Sequence, residues 1–187
     1  MSVSEEMRGS LLARIAAMER LWDLATRDLT LEQANHHERE GVLPIAFTLV
    51  HAITGQDRSA AALFGGPVLW DTHAAPIGLV GVMPKRGTPM SDAEQVRIGD
   101  MDAWRRYQRE VFARTQRALH EATLERLAEP FPLGPEAFAG GFLALLTGSA
   151  DRVRVIDVVE AWVYQHGIRH AGELEHARAL VGLRGVA

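Results

Sequence analysis

At 187 residues, 47% of them hydrophobic and 24% charged, the chain has room for a single domain whose core needs no disulfide or metal to hold it together. Its 20 Lys and Arg against 24 Asp and Glu give a formal net charge of −4, which excludes a whole-protein field drawing it to nucleic acid or to an anionic membrane. The absence of cysteine excludes disulfides, thiolate metal ligands and a cysteine nucleophile. The stretch MSVSEEMRGSLLARIAAMERLWD has no basic region followed by an unbroken apolar run, and no apolar span of about 18 residues occurs elsewhere, so the protein is expected in the cytoplasm, off the membrane.

From Ser4 to about Leu29, the residues Leu11, Ile15, Met18, Trp22, Ala25 and Leu29 recur every three or four positions, which predicts a first amphipathic helix. A polar segment from Thr30 to Gly41 carries His36 and His37. A second helix is expected from Leu43 to about Leu63, with Pro44 in its first turn and with Phe47, Val50, His51, Thr54 and Arg58 along one side. Between Phe64 and Gly99 the pattern breaks. Gly65 and Gly66 are followed by prolines at 67, 76, 84 and 89, and a structureless connection of that length is unusual and often functional. It is expected to hold a short strand over 68–70 and, after Ser91, a helical turn opened by a Ser-Asp-Ala-Glu capping box.

A third helix, expected from Asp100 to about Leu127, carries Met101, Trp104, Tyr107, Val111, Thr115, Ala118 and Ala122 as its stripe and is stopped by Pro130 and Pro132. A short helix over 134–146 precedes the helix breaker Gly148. The last helix is expected from Asp151 to Gly182. At 100° per residue, Val155, Val159, Trp162, His170, Glu173, Ala177 and Leu180 all fall within about 40° of His166, which puts the histidines in the core seam. Gly182 suits the position just past the helix end. The fold class these elements imply is all-α: a four-helix bundle forming one domain over residues 1–187, with a long loop between its second and third helices.

His166 and His170 stand one turn apart, and such a pair projects both rings to one side, as metal ligation requires. His51 is a third histidine in the middle of a helix, where a leucine would pack better. A buried imidazole costs free energy unless both nitrogens are occupied, and one shared metal would occupy a nitrogen on each ring. Glu173, a turn beyond His170, suits a supporting carboxylate. Glu160 is expected in an ion pair with Arg169, Arg152 or Arg154. Gly167 and Gly172 each cost the helix about 1 kcal/mol, so either a neighbouring helix approaches closely or space is left for a ligand. Trp22, Trp104, Trp162, Phe112 and Phe142 are expected in the core, with Trp70 either capping a pocket mouth or simply docked on the bundle. His73 and His120 have no partner at ligand spacing, and His176 lies off the His166 face. No nucleophile elbow, phosphate loop or dinucleotide fingerprint occurs.

The run Gln165-His166-Gly167-Ile168-Arg169-His170-Ala171-Gly172-Glu173, then Leu174 and Ala-Arg-Ala-Leu-Val-Gly over 177–182, resembles the closing motif of the DinB/YfiT-like superfamily. Ala46 to Ile53, with Gln56, Asp57 and Arg58 after it, is similar to the second helix of that family, where a lone histidine precedes a polar or acidic cluster. The resemblance spans nearly the whole chain. It implies a four-helix bundle, commonly a homodimer, with a divalent metal held by His51, His166 and His170. It also implies a small-molecule substrate and, as in thiol-dependent relatives, a low-molecular-weight thiol cofactor. The chain departs from the common pattern in Arg169, where many members have another histidine, in Glu173, where Gln is frequent, and in the His36-His37 pair.

Three neutral imidazoles would leave a divalent ion its full charge and open coordination positions, so the site should favour an anion such as a thiolate or hydroxide. Glu173 and His37 are the two candidates for a general base or supporting residue. Zinc, nickel, iron and manganese all suit such a donor set. A non-catalytic protein, in which the metal fastens the second helix to the fourth and a dimer surface does the work, would use the same histidines. So would a metal-free polar core.

Overall fold

The computed structural model describes residues 3–139 and 141–186. Among these the fold is all-α, with no strand and only the isolated bridges Val80 to Arg97 and Pro130 to Arg154. Helix α1 (Val3–Arg27) buries Leu11, Ile15, Met18, Trp22 and Ala25, the stripe its spacing predicts. The polar segment after it is not featureless. Thr30 opens a short α2 (Leu31–Asn35) by a capping box, its hydroxyl accepting from the Gln33 N–H while the Gln33 side chain accepts from the Thr30 N–H. Pro44 sets the entry to α3 (Ile45–Phe64) from the position just before the helix.

The long connection is partly helical: α4 (Trp70–Ile77) and α5 (Met90–Ala93) lie within it. The expected strand over 68–70 is absent, because the N–H groups of Leu69 and Trp70 are taken by the buried Asp57 carboxylate, at 3.1 and 2.9 Å, at the start of α4. The turn near Ser91 forms without the expected capping box, since Glu94 turns away to accept from the Gly41 N–H at 2.5 Å.

Helix α6 (Met101–Glu121) starts at Asp100, which accepts from the Ala103 N–H at 2.8 Å. It ends earlier than expected, because Thr123 caps a separate helix, α7 (Leu124–Ala128). The expected helix over 134–146 resolves into α8 (Pro135–Phe138) and α9 (Phe142–Thr147), with residue 140 outside the described part. The last long element begins at α10 (Val155–Val158), after a 3-10 turn over Ala150–Arg152 rather than at Asp151. It passes through a π-helical stretch, Val159–Gln165, into α11 (His166–Leu180). There the Gly182 N–H bonds the Ala179 carbonyl and the Leu183 N–H bonds that of Arg178, closing the helix with Gly182 at φ 77°.

Side-chain bonds give the relative directions of these rods. Arg8 reaches the carbonyls of Leu119 and His120, Gln116 reaches Glu19, and Arg105 reaches those of Thr26 and Leu29, so α1 and α6 are antiparallel. Trp22 and Arg178 tie α11 parallel to α1. His51 lies against His170 and His166 while Gly55, a turn later, meets His166, so α3 is antiparallel to α11; since α11 is parallel to α1, α3 and α6 run the same way. Two consecutive long helices pointing the same way need a connection that returns along the bundle, about 30 Å for a 20-residue helix. This is the physical reason for the length of the segment after Phe64. No helix among the described residues is long and apolar enough to cross a membrane.

Candidate metal centre

His51 comes from α3, and His166 and His170 come from the first turns of α11. The Nε2 atoms of His51 and His166 stand 3.3 Å apart. The ring centroids are separated by 5.1 Å for His51 and His166, 4.8 Å for His51 and His170, and 4.5 Å for His166 and His170. One ring nitrogen from each histidine lies within 4.8 Å of the other two. Two nitrogens bonded to a tetrahedral zinc ion at about 2.0–2.1 Å would be about 3.3–3.4 Å apart. The His51 and His166 pair already has that spacing, and the third ring needs only a small inward shift.

Electrostatics prepares the same donors. Burial pushes the His51 imidazole down to about 4, helped by the nearby His170 and partly opposed by the Glu173 charge. Burial, then His170, His51 and Arg169, push His166 down to about 3. Both rings are therefore neutral at pH 7, with lone pairs free for a cation. His170 is oriented by Glu173, whose Oε2 lies 2.6 Å from Nδ1. With the carboxylate accepting from Nδ1–H, Nε2 is the atom of this ring that a metal would take, an arrangement typical of metal-bound histidines. The Phe47 ring stacks on His51 at a centroid separation of 5.7 Å.

The straight-helix phase assumed for the last helix fails at its π-helical stretch. The His166 N–H bonds the Ala161 carbonyl, five residues back, so each turn there holds more residues and the stripe rotates. The buried line on α11 is Gly167, Ala171, Leu174 and Arg178, while Glu173 and Leu180 are exposed. The histidines stand on the shoulder of the seam, where a ligand reaches them, rather than in its depth. A cleft of about 170 Å³ opens beside them, lined by Gly55, Ser59, Trp162 and His166. A Cβ on Gly55 would lie 3.0 Å from the His166 ring. Gly55 and Ser59, one and two turns beyond His51, escaped the sequence reasoning, although a glycine at that spacing from His51 was a usable signal.

The two glycines of α11 have different explanations. At Gly167 a Cβ would meet the Met18 sulfur at 2.1 Å, and the Trp22 indole N–H donates to the Gly167 carbonyl at 3.0 Å, so α1 packs directly on this position. Nothing lies within 4 Å of a Cβ at Gly172.

His37 is not among the residues whose donor atoms converge; its Nε2 lies 3.8 Å from Glu94 Oε2. His36 pairs with Glu38 at 3.1 Å. His73 joins no metal-ligand group among the described residues and pairs with Glu110 at 2.9 Å. Glu160 accepts from Gln165 and lies 3.6 Å from Arg14, not against the arginines expected for it, because the π-helical stretch turns it toward α1. Trp22, Trp104 and Phe112 are buried; Trp162 and Phe142 are only partly so, Trp162 forming a cleft wall against Phe131. Trp70 is buried edge-on against Tyr107 rather than open at a pocket mouth.

A crystal structure of a conserved protein from Enterococcus faecalis, 15% identical, matches this fold with a TM-score of 0.71 over 97% of this chain and 98% of that one. No curated protein matches the chain. The family model of the DinB superfamily matches residues 14–174, a span that contains all three converging histidines, and the chain belongs to that superfamily.

Proposed function

We propose that the chain is a metal-dependent enzyme in which His51, His166 and His170 hold a divalent cation, and a low-molecular-weight thiol or water is activated there to attack a small electrophile. One observation carries this reading: three imidazoles converge beside an open cleft, and no fourth His, Asp or Glu joins them among the described residues. A purely structural site would be saturated by protein ligands. The bound cation would supply Lewis acidity and lower the proton affinity of the thiol or water presented to it.

The chain's own residues have distinct parts. Glu173 fixes the tautomer of His170, and its half-exposed carboxylate is placed to accept a proton released at the site. His37, whose Nε2 lies 3.8 Å from Glu94 Oε2, is the second candidate base. Gly55 and Ser59 leave the cleft floor open, and Trp162 walls it. The thiol rests on the likeness of the closing motif to thiol-dependent relatives. Zinc, nickel, iron and manganese all remain compatible with three imidazoles.

Elemental analysis of the purified protein beside His166→Ala tests the centre. Near-stoichiometric metal is expected in the first and little in the second, while equal contents would sink the proposal. Activity is then read by offering the metal-loaded protein a thiol and an electrophile. Metal without turnover would leave the centre standing and count against the thiol-dependent reaction.

A further inference from the structure

A second cleft, of about 500 Å³, lies between α3 and the long connection and is lined by Arg58, Val82, Met83, Lys85, Thr88, Pro89 and Asp92. Arg58 follows His51 by seven residues, about 10 Å along the helix axis and within about 20° of the same face. The neighbouring Ser59 lines the cleft beside His166, so one turn of α3 serves both openings.

Among the described residues, the Arg58 and Lys85 side chains make no hydrogen bond or ion pair, and Asp92 alone opposes them, which leaves the rim net positive. Arg105 and Arg154, in two other clefts, are by contrast engaged: Arg105 holds Asp102 and the carbonyls of Thr26 and Leu29, and Arg154 holds the Ala128 carbonyl. Val82, Met83 and Pro89 supply an apolar wall between the charges.

Resting on the metal-centre reading above, we propose that this cleft binds the anionic group, carboxylate or phosphate, of the small molecule whose reacting end lies at the three histidines. An arginine grips either anion with two parallel donors, and a lysine adds a point charge. The preferred ligand is thus an anion at one end, an apolar body in the middle, and a reactive thiol or electrophile about 10 Å away.

Calorimetric titration at low ionic strength, with inorganic phosphate and with succinate as probes, tests this in the unaltered protein, in Arg58→Ala/Lys85→Ala and in His166→Ala. At least one probe should bind the unaltered protein. The double variant should bind it at least tenfold more weakly while keeping its metal, and His166→Ala should bind it as the unaltered protein does. Preference for phosphate or for succinate identifies which anion the cleft takes. The proposal is overturned if neither probe binds, if the double variant binds like the unaltered protein, or if His166→Ala alone loses binding, which would put the anion on the metal. Metal retained by His166→Ala would sink the metal centre, and the anion result would still stand separately.

Discussion

Gly167 and Gly172 lie on the same helix and answer to different forces. A methyl group at Gly167 would collide with buried Met18, which forms part of the face α1 presents to α11. At exposed Gly172 a methyl group meets nothing and replaces the most flexible residue in a helix by the best helix former. Gly167→Ala is expected to destabilise the protein by about 1–3 kcal/mol, an overpacking effect that exceeds the gain in helix propensity. Gly172→Ala is expected to stabilise it by up to about 1 kcal/mol. Urea unfolding of the two variants checks both signs, and equal shifts would refute the distinction. The same residues show what could be read of the site beforehand. The spacing of His166 and His170 and the position of His51 in a helix are visible as letters, and so is Glu173 a turn beyond. That the His51 and His166 rings are held neutral, and that Gly55 makes room for one of them, depends on packing between helices distant in sequence.

Asp57 shows the same limit at the scale of an element. In the sequence it belongs to a polar cluster after His51. In the fold it is fully buried and accepts from the N–H groups of Leu69 and Trp70, the Tyr107 hydroxyl at 3.0 Å and Arg114 at 3.4 Å. Burial, with the Asp57 charge beside it, raises the Tyr107 pKa, so the phenol stays a donor. One carboxylate thus pins the start of α4 and the long connection to both α3 and α6. Asp57→Ala would strand those donors and the Arg114 charge, so a loss of about 3 kcal/mol is expected. Limited proteolysis should then cut within 65–70 before the rest of the chain, and cleavage at an unchanged rate would refute this anchoring role. Helices α1, α3 and α6 were legible because their apolar spacing is regular. The Thr30 to Gln33 capping box was just as legible and was passed over, whereas the Ser91 to Glu94 stretch fitted the same pattern but lost its Glu to Gly41. The π-helical stretch had no visible signature: its one-residue change of phase follows from fitting Val159, Ala161 and Val163 into the core while Gly167 meets Met18.

Glu19 couples the bundle as a whole to pH, because it is buried where α1, α3 and α6 meet, accepting from Gln56 at 2.8 Å and Gln116 at 2.7 Å. Burial raises its pKa to about 7, against an ordinary 4.5; the two amides oppose the shift, and the nearby Asp23 charge adds to it. Between these values the native state holds more protons than the unfolded chain. The contribution is therefore fully present below about pH 4.5 and is lost as pH rises through about 7. The metal-free histidines act in the opposite sense. His51 and His166 fall from 6.5 to about 4 and about 3, so their contribution is present above 6.5 and is lost as pH falls through those values. Glu19→Gln separates the two effects, since it removes only the first. Relative to Glu19→Gln, the unaltered protein is expected to lose roughly 2–3 kcal/mol between pH 5 and pH 8, measured by urea unfolding with a chelator present. If the two proteins change in parallel over that range, Glu19 does not carry the proton that its burial implies.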